Sequence, residues 1–111
     1  MSEAAIEDWI PVCAIGEVED GGHRVVDLDG TAVLVVRVGE GFFAIENVCT
    51  HDGGDLTGGC IDAGTIACPR HGARFDLATG EALTAPAYEP VATFPVRIDQ
   101  GVVSVRDHRW D

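Results

Sequence analysis

Four residues near the middle of the chain have the types and spacing of a metal site. Cys49-Thr50-His51 and Cys68-Pro69-Arg70-His71 each pair a thiol with an imidazole, as Cys-x-His and Cys-x-x-His, with sixteen residues between His51 and Cys68. Each half is a ligand pair on a tight loop. Two such loops can bring two sulfur ligands to one metal and two imidazole nitrogens to another. That is the requirement of a [2Fe–2S] cluster in which two His replace two Cys on one iron. The same donors would also suit one Zn²⁺ in a tetrahedral structural site, a function of a different class. Zinc fingers usually pair Cys with Cys and His with His. Here each loop mixes the two, which favours a dinuclear centre taking one thiolate and one imidazole from each loop.

The elements that must position these loops read as strands. Residues 9–15 form a first strand, placed at a sheet edge by Pro11. His23 to Leu28 and Thr31 to Val38 form a hairpin about Asp29-Gly30, the second of them rich in β-branched residues and well buried. Phe42 to Asn47 is a fourth strand that ends just before Cys49. Residues 14–20 hold a short turn of helix at most. Four glycines then fall within residues 53–59, where backbone must approach a bulky centre and adopt positive φ. Thr65 to Ala67 leads into Cys68 and Ala73 to Leu77 leaves His71, with a turn at Ala78-Thr79-Gly80. Val91 to Ile98 and Val102 to Arg106 are the last strands, joined by a turn at Asp99-Gln100-Gly101. The expected fold is all-β: an antiparallel sandwich or small barrel, with a base of residues 1–46 and 88–111 and a cluster-binding insert at 47–87.

At 111 residues this is one domain with a modest core, and 46% hydrophobic residues describe a globular chain. The clearest apolar run, Ala32 to Val36, falls far short of the roughly 20 residues of a membrane helix. The start, Met1 to Ala5, is acidic and lacks the basic segment of a secretion signal, so a soluble, cytoplasmic protein is expected. Nineteen acidic residues face seven basic ones, all Arg, for a formal charge of −12. That balance disfavours nucleic acid, whose phosphates would be repelled, and suits docking to a basic face on a partner protein. Of the remaining cysteines, Cys13 lies in an apolar stretch and reads as a buried, inert thiol. Cys60 follows Gly58-Gly59 and is expected beneath the ligand loops, outside a ligand set that is already complete. His23 and His108 read as surface or strand-end residues.

The paired Cys-Thr-His and Cys-Pro-x-His-Gly stretches, followed by Phe75-Asp76 and Thr79-Gly80, resemble the Rieske family. That resemblance implies a Rieske fold with Cys49 and Cys68 on the inner iron and His51 and His71 on the outer, electron-accepting one. The respiratory and photosynthetic branch carries one more Cys in each loop, joined as a disulfide, and Ser and Tyr hydroxyls near the cluster sulfurs. The matching positions here are Gly54 and Arg70, and Ala73 and Phe75. With fewer hydrogen bonds to sulfur the reduced cluster is less stabilised, so a low potential is expected, on the order of −150 mV. His71 to Asp76 and Pro86 to Pro90 are similar to ferredoxins of bacterial aromatic-ring dioxygenases, in which Pro86 would close a loop over the cluster.

The resemblance implies a one-electron carrier without an enzymatic activity of its own. It would take electrons from a flavin-dependent reductase and pass them to a terminal non-haem iron oxygenase, most simply as a monomer. Alternatives within the fold are a small subunit of nitrite reductase and a ferredoxin of another pathway. Asp52, Asp55 and Asp62 would lie near the exposed tip, as solvated loop residues or as contacts to a basic partner. Arg70 and Arg74 flank His71 and would meet a partner carboxylate or pair locally.

Overall fold

A computed structural model describes residues 9–85 and 87–108 of the chain. Among these residues, ten strands form three antiparallel sheets. The first sheet joins β1 (Ile10–Ala14), β10 (Val102–Val105) and β9 (Val96–Asp99) in the order β1-β10-β9. The second runs β2-β3-β4-β8, from β2 (His23–Leu28), β3 (Thr31–Val38), β4 (Gly41–Glu46) and β8 (Thr93–Phe94). The third is β5-β6-β7, from β5 (Cys60–Asp62), β6 (Thr65–Ala67) and β7 (Arg74–Asp76). A single 3₁₀ turn, Ile15–Glu17, is the one helical element among the described residues. No helix among these residues is long and apolar enough to cross a membrane.

The middle sheet is covered on both faces, and β3 shows why. Successive side chains of a strand point to opposite sides. Val33 and Val35 enter a core with Cys13, Leu28, Phe42, Ala44, Phe94, Val103 and Val105, between the first and second sheets. Leu34 and Val36 enter the other core, with Ile45, Cys49, Leu56, Ile66, Cys68, Phe75 and Leu77. An uninterrupted apolar run is what a strand needs when neither face meets water. One strand thus anchors both the base and the layer that carries the Cys and His residues. As expected, β1 is an edge strand and Cys13 is buried, where desolvation raises its thiol pKa.

Two differences from the strand pattern have physical causes. The stretch from Val91 to Ile98 is two strands, because Pro95 lacks a backbone N–H and separates β8 from β9. They belong to different sheets, and Val91 packs in the core beneath the ligand loops. The second difference is β5, which Cys60 opens. The β5–β6 hairpin turns on Ala63 and Gly64, both with positive φ, 53° and 76°. Its geometry matches that of Asp29-Gly30, with φ of 53° and 89°. Two consecutive left-handed residues define the tight hairpin turn that suits the twist of its strands, and Asn or Asp usually takes the first place. Ala63 carries no such signal. Cys60, in consequence, is exposed on a strand and not buried under the loops.

An L-residue with a Cβ and no local side-chain hydrogen bond is strained in the left-handed region. Ala63→Asn should therefore raise the unfolding free energy by about 1 kcal/mol. Thermal or urea denaturation measures it, and an unchanged midpoint would contradict the assignment of strain.

Candidate metal centre

Each ligand loop is a short excursion between strands, closed by the same two backbone hydrogen bonds. In the first, Cys49 N–H donates to Gly54 O at 2.7 Å and Gly53 N–H donates to Cys49 O at 2.7 Å. In the second, Cys68 N–H donates to Ala73 O at 2.7 Å and Gly72 N–H donates to Cys68 O at 2.9 Å. Gly53 and Gly72, each four residues after its Cys, take φ of 77° and 76°. Only a residue without a Cβ turns there without strain. The two loops are one device built twice, though His stands two residues after Cys in the first and three after it in the second.

This closure sinks both sulfurs and leaves both rings outside. Cys49 and Cys68 are 0% and 2% exposed, packed among Leu56, Ile66, Ala73 and Phe75. His51 and His71 are exposed, with ring centroids 5.1 Å apart and planes at 83°. The two sulfurs lie within 4.8 Å of each other. Burial pushes the Cys49 thiol up, and the N–H groups of His51 and Asp52 only partly offset this. At Cys68 burial acts in the same direction. There the N–H groups of His71 and Arg70, the Cys49 thiol and the Arg70 charge outweigh it and bring the thiol below its ordinary range. Backbone N–H groups converging on a buried sulfur favour the thiolate, the form that binds metal. Two buried thiols facing each other, with two imidazoles outside them, match the donor set of a mixed Cys/His dinuclear cluster.

Asp52 lies within 4.8 Å of the donor atoms of both pairs, Cys49 with Cys68 and His51 with His71. Its carboxylate is already engaged. Arg70 Nε donates to Oδ2 at 2.7 Å and Arg70 Nη2 to Oδ1 at 3.0 Å, while Gly54 N–H donates to Oδ1 at 2.9 Å. The guanidinium, then the Gly54 N–H, hold the carboxyl well below the usual carboxylate range. Asp52 is therefore neither a free loop carboxylate nor a free ligand, and Arg70 pairs locally. Arg74 also bonds within the chain, Nη1 donating to Thr65 Oγ1 at 2.9 Å. Asp55 and Asp62 are exposed. Asp76 shapes a turn, with Oδ1 accepting N–H bonds from Ala78 and Thr79 at 2.8 and 3.0 Å.

Asn47 escaped the sequence pattern. Buried where β4 passes into the first loop, it accepts N–H bonds from Leu56 and Thr57 on Oδ1, at 2.9 and 3.0 Å. Its Nδ2 donates to Thr57 Oγ1 at 2.8 Å. One amide thereby ties the middle of the glycine-rich segment to the end of β4. A polar residue closing an apolar strand, ahead of glycines, was the available signal. A second tie is Thr50, whose hydroxyl donates to Glu89 O at 2.7 Å. It brings residues 87–90 beside the first loop, with Ala87 buried and Tyr88 83% exposed. Pro86, expected to close over the cluster, lies outside the described residues. His23 opens β2 and is exposed; His108, also exposed, sets its ring edge-on to Phe94 at 6.0 Å. A surface groove of about 370 Å³ runs along Phe42, Thr93, Phe94 and His108 and is lined by none of Cys49, His51, Cys68 and His71.

With this geometry in view, comparison with known proteins is unambiguous. Residues 8–95 match the Rieske [2Fe–2S] domain. Ferredoxin CarAc of Metapseudomonas resinovorans is 39% identical over 98 residues, spanning 87% of this chain and 92% of the relative. The ferredoxin of carbazole 1,9a-dioxygenase from Nocardioides aromaticivorans IC177 superposes with a TM-score of 0.85 at 33% identity, over 88% of this chain and 96% of that one. A chain in a complex of reduced oxygenase and oxidized ferredoxin in carbazole 1,9a-dioxygenase gives 0.84 at 36% identity, over 88% and 92%. The chain belongs to the Rieske [2Fe–2S] domain family, and its cofactor is a [2Fe–2S] cluster.

Loss of the Asn47 amide would leave buried N–H groups unpaired. Asn47→Ala should destabilise the protein by about 2 kcal/mol, and Thr57→Val, which removes one partner, by about 1 kcal/mol. Denaturation midpoints measure both, and equal costs would contradict the central place given to Asn47.

Proposed function

We propose that this chain is a Rieske-type ferredoxin, a low-potential one-electron carrier without enzymatic activity of its own. Cys49 and Cys68 hold the inner iron of its cluster, and His51 and His71 the outer one. The carrying observation is the pairing of two buried thiols with two exposed imidazoles on matched loops. When bound, the cluster supplies a centre that takes up and releases one electron. The chain's own residues do the rest. The apolar shell of Leu56, Ile66 and Phe75 keeps water from the sulfurs. The loop tips present His51 and His71 at the surface, where a partner's redox centre can approach. Ala73 and Phe75, both fully buried in the same core as the two thiols, offer no side-chain hydroxyl to the sulfurs. That supports a potential at the low end of the Rieske range.

The electron source is a flavin-dependent reductase, and the recipient is the terminal non-haem iron oxygenase of an aromatic-ring-hydroxylating system. Likeness to the ferredoxin CarAc and to a chain of an oxygenase–ferredoxin complex supports this assignment. We read the protein as a cytoplasmic monomer of one domain, with residues 47–87 carrying the cluster on a base of 1–46 and 88–111. The net charge of −12 suits transient docking to basic faces.

Anaerobically purified, dithionite-reduced protein should hold two irons and two sulfides per chain and give a rhombic electron paramagnetic resonance signal with average g about 1.9. Cys68→Ser and His71→Ala should each abolish that signal. One tightly bound zinc without sulfide would overturn the reading, and a midpoint potential above about +100 mV would overturn its low-potential part. Electron transfer to the oxygenase should slow several-fold as salt rises from about 0.05 to about 0.5 M, because screening shortens the reach of surface charge. A flat response would exclude electrostatic docking.

A further inference from the structure

The backbone bonds that close each ligand loop lie within that loop, so they do not set the distance between the two tips. A side-chain pair spans the gap. Arg70, next to His71, sends Nε and Nη2 to the two carboxylate oxygens of Asp52, next to His51, at 2.7 and 3.0 Å. The carboxylate is oriented before it meets Arg70, because Gly54 N–H in its own loop already holds Oδ1 at 2.9 Å. Oδ2 also lies 3.4 Å from His71 Nδ1. The guanidinium passes directly over Gly54. A Cβ at that position would lie 2.5 Å from Arg70 Cζ and 2.6 Å from Nη2, closer than atoms can approach. The contact therefore needs three residue types together: a carboxylate at 52, no side chain at 54 and a planar two-pronged donor at 70. Lys at 70 would keep the charge but not the fork.

Exposed ion pairs generally contribute little, since solvent screens them and ordering long side chains costs entropy. This pair departs from that norm by being bidentate and by having one partner fixed in advance. We propose that Asp52 and Arg70, seated on Gly54, are positioning residues: an ionic clasp that sets the spacing of the two His-bearing tips and retains the cluster between them. The clasp rests on the Rieske reading above. Unlike a covalent link, it yields to salt.

The test uses the cluster-loaded protein and compares wild type with Asp52→Asn, Arg70→Gln, Arg70→Lys, Gly54→Ala and the Asp52→Asn/Arg70→Gln double variant. The readouts are the rate of cluster loss to a chelator, followed by visible absorbance, and the midpoint potential. Each single variant should lose its cluster about threefold faster or more, and the double variant no faster than the worse single, as for two residues acting through one contact. High salt should speed loss from wild type but not from the double variant. Asp52→Asn should raise the potential and Arg70→Gln lower it, since each removes one sign of charge beside the cluster. Arg70→Lys and Gly54→Ala, which keep both charges, should leave the potential near wild type while still losing the cluster quickly. A purely structural defect would not split the variants in this way. Wild-type rates of loss in the single variants, or multiplicative effects in the double, would overturn the clasp alone. A wild-type protein without the mixed Cys/His spectrum would overturn the functional reading and the clasp with it.

Discussion

Cys49 and Cys68 face each other at the bottom of two loops, each sulfur buried and each met by two backbone N–H groups from its own loop. A buried thiolate is costly unless such donors surround it. Most of the architecture follows from that requirement. To aim two consecutive N–H groups back at a sulfur, the chain must curl tightly after each Cys. A glycine four residues on, with positive φ, closes the curl in both loops. The same curl turns the next polar side chains outward, so His51 and His71 reach the surface. Burial of sulfur and exposure of imidazole are two results of one backbone path.

The rest of the fold supplies a floor for those loops. β3 divides its side chains between two cores, sending Leu34 and Val36 beneath the Cys residues and Val33 and Val35 into the base. Both layers are thus fastened to one rigid strand. Small shifts of the base relative to the loops would have to break packing on both faces of the middle sheet, which close-packed interiors resist. Asn47 completes the connection at the point where β4 gives way to the first loop. A site organised in this way has much of its geometry built into the chain before any metal arrives.

Charge is arranged at two scales. Overall, the acidic excess is large enough to steer the protein toward basic surfaces. At the tip, Asp52 and Arg70 neutralise each other, and Arg74 bonds to the Thr65 hydroxyl. What the tip presents beside His51 is Tyr88, a large exposed ring. Positions 54 and 70, where the respiratory branch would carry a disulfide, meet here through a guanidinium over a glycine.

Much of this was legible in the chain itself. The mixed Cys/His spacing pointed to the family that residues 8–95 match. β-branched runs and the Asp29-Gly30 turn marked the early strands, because strand alternation and tight hairpins leave local signatures. The division of Val91 to Ile98 at Pro95 was also available locally, in a residue that cannot donate to a sheet ladder. Other features depend on contacts between separate parts of the chain. Ala63 carries the left-handed turn of β5–β6 because the strands on either side impose it, against its own preference. The exposure of Cys60 follows from that hairpin. The pairing of Asp52 with Arg70 joins residues eighteen apart, and Asn47 acts on groups nine and ten residues away. The sequence by itself determined which residue types could bind metal and where most of the strands lie, since those depend on residue type and near neighbours. The tertiary structure alone decided which charges neutralise each other and which side chain holds the loop, because those depend on distances created when separate strands pack.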